Sequence, residues 1–520
     1  MSELEVPSTN VPTTVPSITE HGVGATLPHM SGSASASAEE KGPTVNGHGR
    51  GYDGVNGNGT AHGHGEVKCV TMAVVGAGQR GQVYASYALE HPELAKVIAV
   101  AEPRPHRRKV MSRAHNILED MQFTNWKDLH AKGKIADAIL VCVLDDLHAE
   151  LVTAFSKQGY HILCEKPMAT SVDDCVKMVK EVEAAPDTIF GIGHGPGEAR
   201  APTRYAISFA DDVRSVLRYS PYNRAVKEVI DSGALGEIIN IQHIEPVGNQ
   251  HFAHSFVRGN WHKEAETSFA LMTKSCHDID VLSYYLSGLT PKKVHSFGSI
   301  GHFKPSKKPA EAGDAKRCFD CAYESKCVWS AKKIYVEPLK GTEDTERWAK
   351  HVVDADVLDI ENVSEALKTT SPYGRCVYEC GNDVVDHQVV NVEYEGGVTA
   401  SMTMSAFTES ICYRGTRIQG TKGELIGDME TFSVFDFLTR TKTLHSPPHE
   451  GGGHGGGDLG LSRTFVRAVA ERDQAVLGVT PEEVLNSHLL VFAAEKARRD
   501  ERVVDFDQFK RGAVKGVKVF

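Results

Sequence analysis

Two short stretches carry residues whose types and spacing could do chemistry. GAGQRG sets Gly76, Gly78 and Gly81 in a G-x-G-x-x-G pattern at the end of an apolar run that begins at Val67. Gly76 permits a tight turn, and Gly78 lets backbone approach a diphosphate at a helix N-terminus. Gly81 lets helix and strand pack closely. Gln79 and Arg80 fall inside the same phosphate-facing turn. Glu102, 21 residues after Gly81, stands where an acid accepts the ribose hydroxyls of NAD. Its charge would repel the 2′-phosphate of NADP; Arg104 and Arg107 would offset that, so NAD is favoured and NADP stays open. The plain alternative is a glycine turn with a surface Glu. The second stretch is CEKP, Cys164–Pro167, at a strand end. Ligands of open α/β sheets bind beyond the carboxyl ends of strands. Lys166 would then face a nicotinamide and a substrate, whose oxidised ring would lower its pKa and suit it to proton transfer. The alternative is a lysine paired with Glu165.

Cysteine forms a third group. Cys318, Cys321 and Cys327 give C-x-x-C followed by five residues and another Cys, and Cys376 and Cys380 come about fifty residues on. Cys318, Cys321, Cys327 and Cys376 could make a tetrahedral site for a structural Zn; an iron–sulfur cluster is less favoured, and free thiols in an insertion are the alternative.

These groups need a scaffold. Strand-like runs Val67–Ala77, Lys96–Glu102, Ala138–Leu144, Tyr160–Pro167 and Asp187–His194 alternate with helix-like segments Gln79–Glu90, His148–Gln158 and Ser171–Ala184. That grammar predicts right-handed βαβ units and a Rossmann-type doubly wound parallel sheet over 67–194. After residue 236, long alternating strands predict an α+β domain on an open, mainly antiparallel sheet, with tight turns at Gly396-Gly397 and Gly423-Glu424. The second domain spans 216–520 and contains a Cys-rich insertion, 318–380. Thr480-Pro481-Glu482-Glu483 predicts a capped helix start, with Val484, Leu485, Leu489 and Phe492 as its buried stripe. Residues 1–66, rich in Gly, Ser, Thr and His and with Tyr52 as their one aromatic, read as a disordered tail.

Composition narrows the function. The 520 residues carry 57 Lys and Arg against 68 Asp and Glu, a formal charge of −11, so non-specific nucleic-acid binding is disfavoured. No apolar run is long enough to span a membrane, and the N-terminus lacks a secretory pattern. With 11 cysteines in 520 residues there is no disulfide scaffold, so a reducing, cytoplasmic setting is expected.

The chain resembles the Gfo/Idh/MocA oxidoreductases, with the inositol-dehydrogenase-like branch nearest. The likeness rests on AVVGAGQRG (Ala73–Gly81), VCVLDDLHAELV (Val141–Val152), CEKPMA (Cys164–Ala169), YNRAVKEVIDSGALGEI (Tyr222–Ile238) and SCHDIDVLSYYLSG (Ser275–Gly288). It implies an NAD(P)-dependent enzyme moving hydride to or from a CH–OH carbon of a sugar, inositol or related polyol. It also implies a homo-dimer or tetramer. Lys166 matches the family's EKP lysine. His277 matches the acid/base histidine of a D-x-x-x-H helix, but the Asp position is Thr273 here. Either His277 acts with Lys166 alone, or Lys274 substitutes, or the Thr273 hydroxyl orients substrate or imidazole. His148 is structural or near the cofactor. His454 and Asp458, in a glycine-rich loop, resemble a family HGGGD segment and are candidate substrate contacts. Arg258 and Trp261 are candidates too, with core-edge packing as the alternative. Residues 195–215 interrupt the likeness, as an active-site loop or as retained intron. Two other functions are compatible with this fold: a redox-neutral NAD-dependent glycosidase and a non-catalytic regulator.

Overall fold

The computed structural model describes residues 68–193, 217–341, 348–353, 358–448 and 457–520. The expected tail (1–66), the interrupting segment (195–215) and His454 lie outside the described residues.

From Lys68 the chain alternates β1 (Val70–Val75), α1 (Gln79–Glu90), β2 (Ala95–Ala101), α2 (Pro105–His115), β3 (Gln122–Phe123), α3 (Trp126–Ala131), β4 (Ala138–Val141), α4 (His148–Ser156), β5 (His161–Cys164), α5 (Val172–Glu183) and β6 (Phe190–Ile192). The six strands are parallel, in the order β3-β2-β1-β4-β5-β6. Their unbroken apolar sequences follow from burial on both faces. Val70, Val74, Val100 and Leu140 enter one apolar cluster, while Ala73, Val75, Ile139 and Val141 enter the other. The strands stop short of the apolar runs: β4 ends at Val141 and β5 at Cys164, and the chain beyond forms the rim where Asp145 and Lys166 stand.

The second half contributes α6 (Pro221–Asp231), β7 (Ile238–Pro246), α7 (Asn249–Phe252), α8 (Ala270–Tyr285), β8 (Pro291–Ser299), α9 (Ile360–Lys368), β9 (His387–Tyr394), β10 (Thr399–Ser405), β11 (Gly415–Gly420), β12 (Gly423–Gly427), β13 (Phe432–Asp436), β14 (Lys442–His445), α10 (Gly457–Glu471), α11 (Pro481–Arg499), β15 (Val504–Asp505) and α12 (Phe506–Val514). The nine strands run β14-β13-β12-β11-β7-β10-β9-β8-β15, all antiparallel except β7 against β10. The turn between β9 and β10 uses Gly396 (φ +78°) and Gly397 (φ +82°), conformations that other residues resist. The other expected turn is displaced: Gly423 and Glu424 lie within β12, and Thr421-Lys422 makes the bend. Helices α8 and α11 pack against each other and cover one face of this sheet.

Two helices tie the halves together. Leu461, Phe465, Val466 and Val469 of α10 join the apolar cluster of Val70, Val74 and Tyr84, so this late segment belongs to the core of the first sheet. Helix α11 starts as its sequence requires. The Thr480 hydroxyl accepts from Glu483 N–H at 3.2 Å, and the Glu483 carboxylate accepts from Thr480 N–H at 2.8 Å. Its burial is wider than the expected stripe and takes in Ser487 and His488. His488 Nδ1–H donates to the Val484 carbonyl, and Nε2 accepts from Met168 N–H at 2.9 Å. This anchors the loop that follows Lys166. Burial pushes the His488 imidazole down to about 4.

Two outcomes follow from this packing. A Cβ at Gly81 would lie 2.0 Å from the Gly76 carbonyl oxygen, whereas one at Gly78 would meet nothing nearer than the Arg107 guanidinium at 3.5 Å. Gly81→Ala should lower stability by about 1–3 kcal/mol, and Gly78→Ala should stay within about 0.5 kcal/mol, read as urea-denaturation midpoints. His488 is neutral in the fold, so its contribution is complete above about 6.5, the ordinary imidazole value. As pH falls from there toward 4, stability is lost by up to about 1.4 kcal/mol per pH unit. His488→Gln should flatten that slope; a wild-type slope in the variant would refute the assignment.

Candidate active site

The turn after β1 has the shape a dinucleotide needs. Gly76 sits at φ +92°, and a Cβ there would strike the Cys142 carbonyl at 2.2 Å. Gly78, at the N-cap of α1, supplies no side-chain cap, so the helix start forms a cradle suited to a diphosphate, with the Arg107 guanidinium 3.5 Å from where a Cβ of Gly78 would lie. Glu102 follows β2 and is buried; its carboxylate accepts from Ala77 N–H at 2.8 Å and from Arg104 N–H at 3.0 Å. One acid thus braces the glycine turn and stands at the ribose end. The residues present fit a bound NAD(P).

Arg80 does not face that cradle. Its guanidinium pairs with Glu165, reaches Tyr84 Oη at 2.6 Å and pairs with Asp458 at 2.7 Å. Tyr84 Oη–H donates to Glu165 at 2.7 Å, and Lys166 N–H donates to its other oxygen at 2.6 Å. Burial alone would raise Glu165, but Arg80 and Lys166 hold the carboxylate below its ordinary value. Arg80 and Glu165, expected at the coenzyme, are internal braces for the Lys166 loop. Asp458 corrects an expectation too: it is 2% exposed at the start of α10 and committed to Arg80 rather than open to substrate.

The Lys166 ammonium crosses to the second half and donates to the Thr273 carbonyl at 2.7 Å. Trp261 lies beside it, ring centroid 5.7 Å from Nζ, and Trp261 Nε1–H donates to Asp145 Oδ2 at 3.0 Å. Burial raises the Asp145 carboxyl. Thr273 acts through its backbone: its hydroxyl donates back to the Phe269 carbonyl at 3.3 Å, so it does not orient an imidazole. His148 is fully buried, with Nδ1–H on the Pro167 carbonyl at 2.7 Å and Nε2 at 3.3 Å from the Val143 carbonyl, so both ring nitrogens meet backbone of the loops that follow β5 and β4.

Below this rim, α8 carries a buried ionic network. Its residues from Ala270 to Leu282 are all buried, so its charged side chains must find partners within the protein. Lys274 Nζ pairs with Glu245 at 2.9 Å and touches Cys412 Sγ at 3.0 Å. Burial alone would depress Lys274; Cys412 and Glu245 instead hold it above its ordinary value, so it stays a cation and does not replace the missing carboxylate. Arg414 Nε lies 2.6 Å from Glu245 and 2.9 Å from Asp278, and Nη2 donates into His277 Nε2 at 2.6 Å. An arginine can only donate, so His277 Nε2 accepts and the neutral ring carries its proton on Nδ1. Asp278 also contacts His243 Nε2 at 3.2 Å. Burial opposes its charge, yet Arg414 and the hydrogen bond with His243 keep it well below the ordinary carboxylate range.

Among the remaining expected contacts, the structure corrects Arg258. It is 1% exposed, turned away from Lys166 toward the Arg375 and Trp329 carbonyls. Cys318, Cys321, Cys327 and Cys376 line one small cavity around it. Among the described residues, however, no group of three His, Cys, Asp or Glu stands arranged to hold a metal ion, so the expected Zn cage is not formed as the thiols stand. Of the residues that sequence reasoning missed, Asp145 lies within VCVLDDLHAELV with nothing to single it out, whereas Glu245, Cys412 and Arg414 carry no local motif; only the pairing of distant strands brings Glu245 beside Arg414.

Comparison with known proteins agrees with this architecture. Residues 70–194 match a family model described as an oxidoreductase family with an NAD-binding Rossmann fold, and residues 227–506 match the C-terminal alpha/beta domain of the same family. A 2,7-anhydro-N-acetylneuraminate hydratase of Escherichia coli is 26% identical over 45% of this chain and 55% of its own length. An inositol 2-dehydrogenase of Rhizobium meliloti is 26% identical over 32% of this chain and 43% of its own. The chain thus spans about half the length of these two relatives, or less. A levoglucosan dehydrogenase structure with NADH and levoglucosan superposes with a TM-score of 0.58 at 15% identity, over 84% of this chain and 100% of that one, a likeness of fold. With both domain models matched across most of its length, the chain belongs to the Gfo/Idh/MocA oxidoreductase family.

Proposed function

We propose that this protein is an NAD(P)-dependent dehydrogenase or reductase acting on a CH–OH carbon of a sugar, an inositol or a related polyol. The observation that carries this reading is the Lys166 ammonium, set at a strand end beside the glycine cradle and aimed across the rim at the Thr273 carbonyl. Gly76, Gly78, Gln79 and Gly81 would hold the diphosphate, and Glu102 with Arg104 the ribose. When bound there, the nicotinamide supplies the acceptor or donor of hydride.

The chain's own residues handle the proton and the substrate. Lys166 Nζ exchanges a proton with the reacting hydroxyl, and its hydrogen bond to Thr273 O fixes where that proton is held. Trp261 forms an apolar wall over the ammonium, and buried Asp145 fixes the indole through Nε1–H. His277 is recast from the relay expected of it. With Arg414 donating into Nε2, the ring offers Nδ1–H and serves as a donor that orients an oxygen atom. Lys274, Arg414, Glu245 and Asp278 hold that orientation. The inositol 2-dehydrogenase relative supports the polyol class. The hydratase relative favours a second reading in which the coenzyme stays bound and the net reaction is redox-neutral; products formed without added coenzyme separate the two.

The outer face of the second sheet supports self-association. Strand register puts Ile244, Phe297, Ile426 and Leu444 on one face, all exposed. This apolar surface suits the homo-dimer or tetramer expected from the sequence.

Lys166→Ala should reduce turnover by about 10²–10⁴-fold in a polyol panel read by reduced-nicotinamide absorbance, with coenzyme affinity retained. Full activity in that variant would overturn its role. Glu102→Ala should weaken NAD and improve NADP in relative terms, shifting the ratio of the two dissociation constants by about tenfold, or roughly 1.4 kcal/mol. Calorimetry with each coenzyme checks this, and an unchanged ratio would remove Glu102 from the ribose site.

A further inference from the structure

Between β8 and β9 the chain leaves the second sheet and runs through short 3-10 turns, Pro305–Lys307, Ala310–Ala312, Cys318–Asp320 and Glu324–Lys326, before reaching α9. So little regular structure supplies few backbone hydrogen bonds of its own, and irregular segments of this kind commonly rely on a staple. Cys318, Cys321, Cys327 and Cys376 all line a cavity of ≈ 20 Å³ there. That volume admits one small ion and excludes a multi-iron cluster.

Arg258 enters the same cavity. Its Nη2 donates to Cys318 Sγ at 3.4 Å and to the Trp329 carbonyl at 2.7 Å, and Nε donates to the Arg375 carbonyl at 2.8 Å. Its Nη1 is buried without a hydrogen-bond partner, and no carboxylate pairs with it among the described residues. A buried guanidinium without a counter-charge is unfavourable; Tyr335 gives it a neutral hydroxyl, and the carboxylate lining the cavity, Glu324, is taken by Ser330 and Lys332, which leaves the thiols. Two of them already receive backbone donors two residues on, Trp329 N–H at Cys327 and Tyr378 N–H at Cys376. The fifth cysteine is different: Cys380 Sγ–H donates to the Cys376 carbonyl at 3.2 Å and keeps its proton.

We propose that this cavity is a structural Zn²⁺ site with Cys318, Cys321, Cys327 and Cys376 as thiolate ligands and Arg258 as the buried cation that balances it. Binding exchanges four S–H bonds for four Zn–S bonds of about 2.3 Å and releases four protons to solvent. A tetrathiolate site carries a net charge of −2, which gives Arg258 its missing partner. The thiols must turn inward to reach the ion, since no three of them are gathered round a point as they stand. The site is separate from the Lys166 rim, so its test does not depend on turnover.

Elemental analysis of the full chain, purified without chelator, should find about one Zn per chain. Titrating that protein with an organic mercurial should release the metal to a chromogenic chelator as the thiols are blocked. Cys321→Ser should lower the Zn content to less than about half, and Cys380→Ser should leave it unchanged. Should Cys321→Ser fail to fold, mercurial release from the wild-type chain decides. Iron with acid-labile sulfide, or no metal and four thiols that react freely in the native protein after incubation with Zn²⁺, would overturn the proposal. So would full Zn content in a folded Cys321→Ser variant.

Discussion

One buried carboxylate holds the working parts of this protein in register. Glu165 receives Arg80 from the first turn of α1, Tyr84 one turn further on, and the backbone N–H of Lys166. Arg80 in turn reaches Asp458 on α10. Removing one partner of such a buried pair leaves a charge in low dielectric, at a cost of about 3–5 kcal/mol. The ion pair therefore couples three things that chain order keeps far apart: the glycine turn, the lysine at the end of β5, and helix α10, which packs beside α1 on the first sheet.

The second half depends on a comparable constraint. Helix α8 is buried on all sides of its first three turns, yet it carries Lys274, His277, Asp278 and Asp280. Each charge must be met from elsewhere: Asp280 by Arg218 at 2.6 Å, Asp278 by Arg414 and His243, and Lys274 by Glu245. Thr273, where the resemblance implies an acid, adds no charge to this balance. At that position it is the backbone carbonyl that meets the Lys166 ammonium, while the Thr273 hydroxyl turns back along its own helix.

What the sequence made legible was local. The glycine spacing, the acid 21 residues on, the EKP strand end and the Thr480 capping box each report a requirement met within a few residues or one βαβ unit. What stayed hidden depended on register. Arg414 and Glu245 meet because β11 pairs antiparallel with β7, placing Gly415 opposite Ile244; nothing in YRGTRIQG marks its arginine as buried. The same reason explains Arg258 and Asp458. Both sit in stretches rich in glycine and polar residues that read as ligand-facing, and both are turned into the protein by contacts 60 to 378 residues away.

The segment Phe256–His262 joins the cysteine-lined cavity to the catalytic rim. Arg258 faces the cavity, and Trp261, three residues on, faces Lys166. Between them Gly259 is pressed against the His254 carbonyl, where a Cβ would come within 2.7 Å, so the chain has little room to shift there. Phe256 stacks on Trp261 at 5.5 Å, and His262 Nδ1–H closes back on the Gly259 carbonyl. With Arg258 fixed by the Arg375 and Trp329 carbonyls, the segment that carries the indole has a rigid support. The cysteine-rich insertion is thus the buttress of one wall of the cleft.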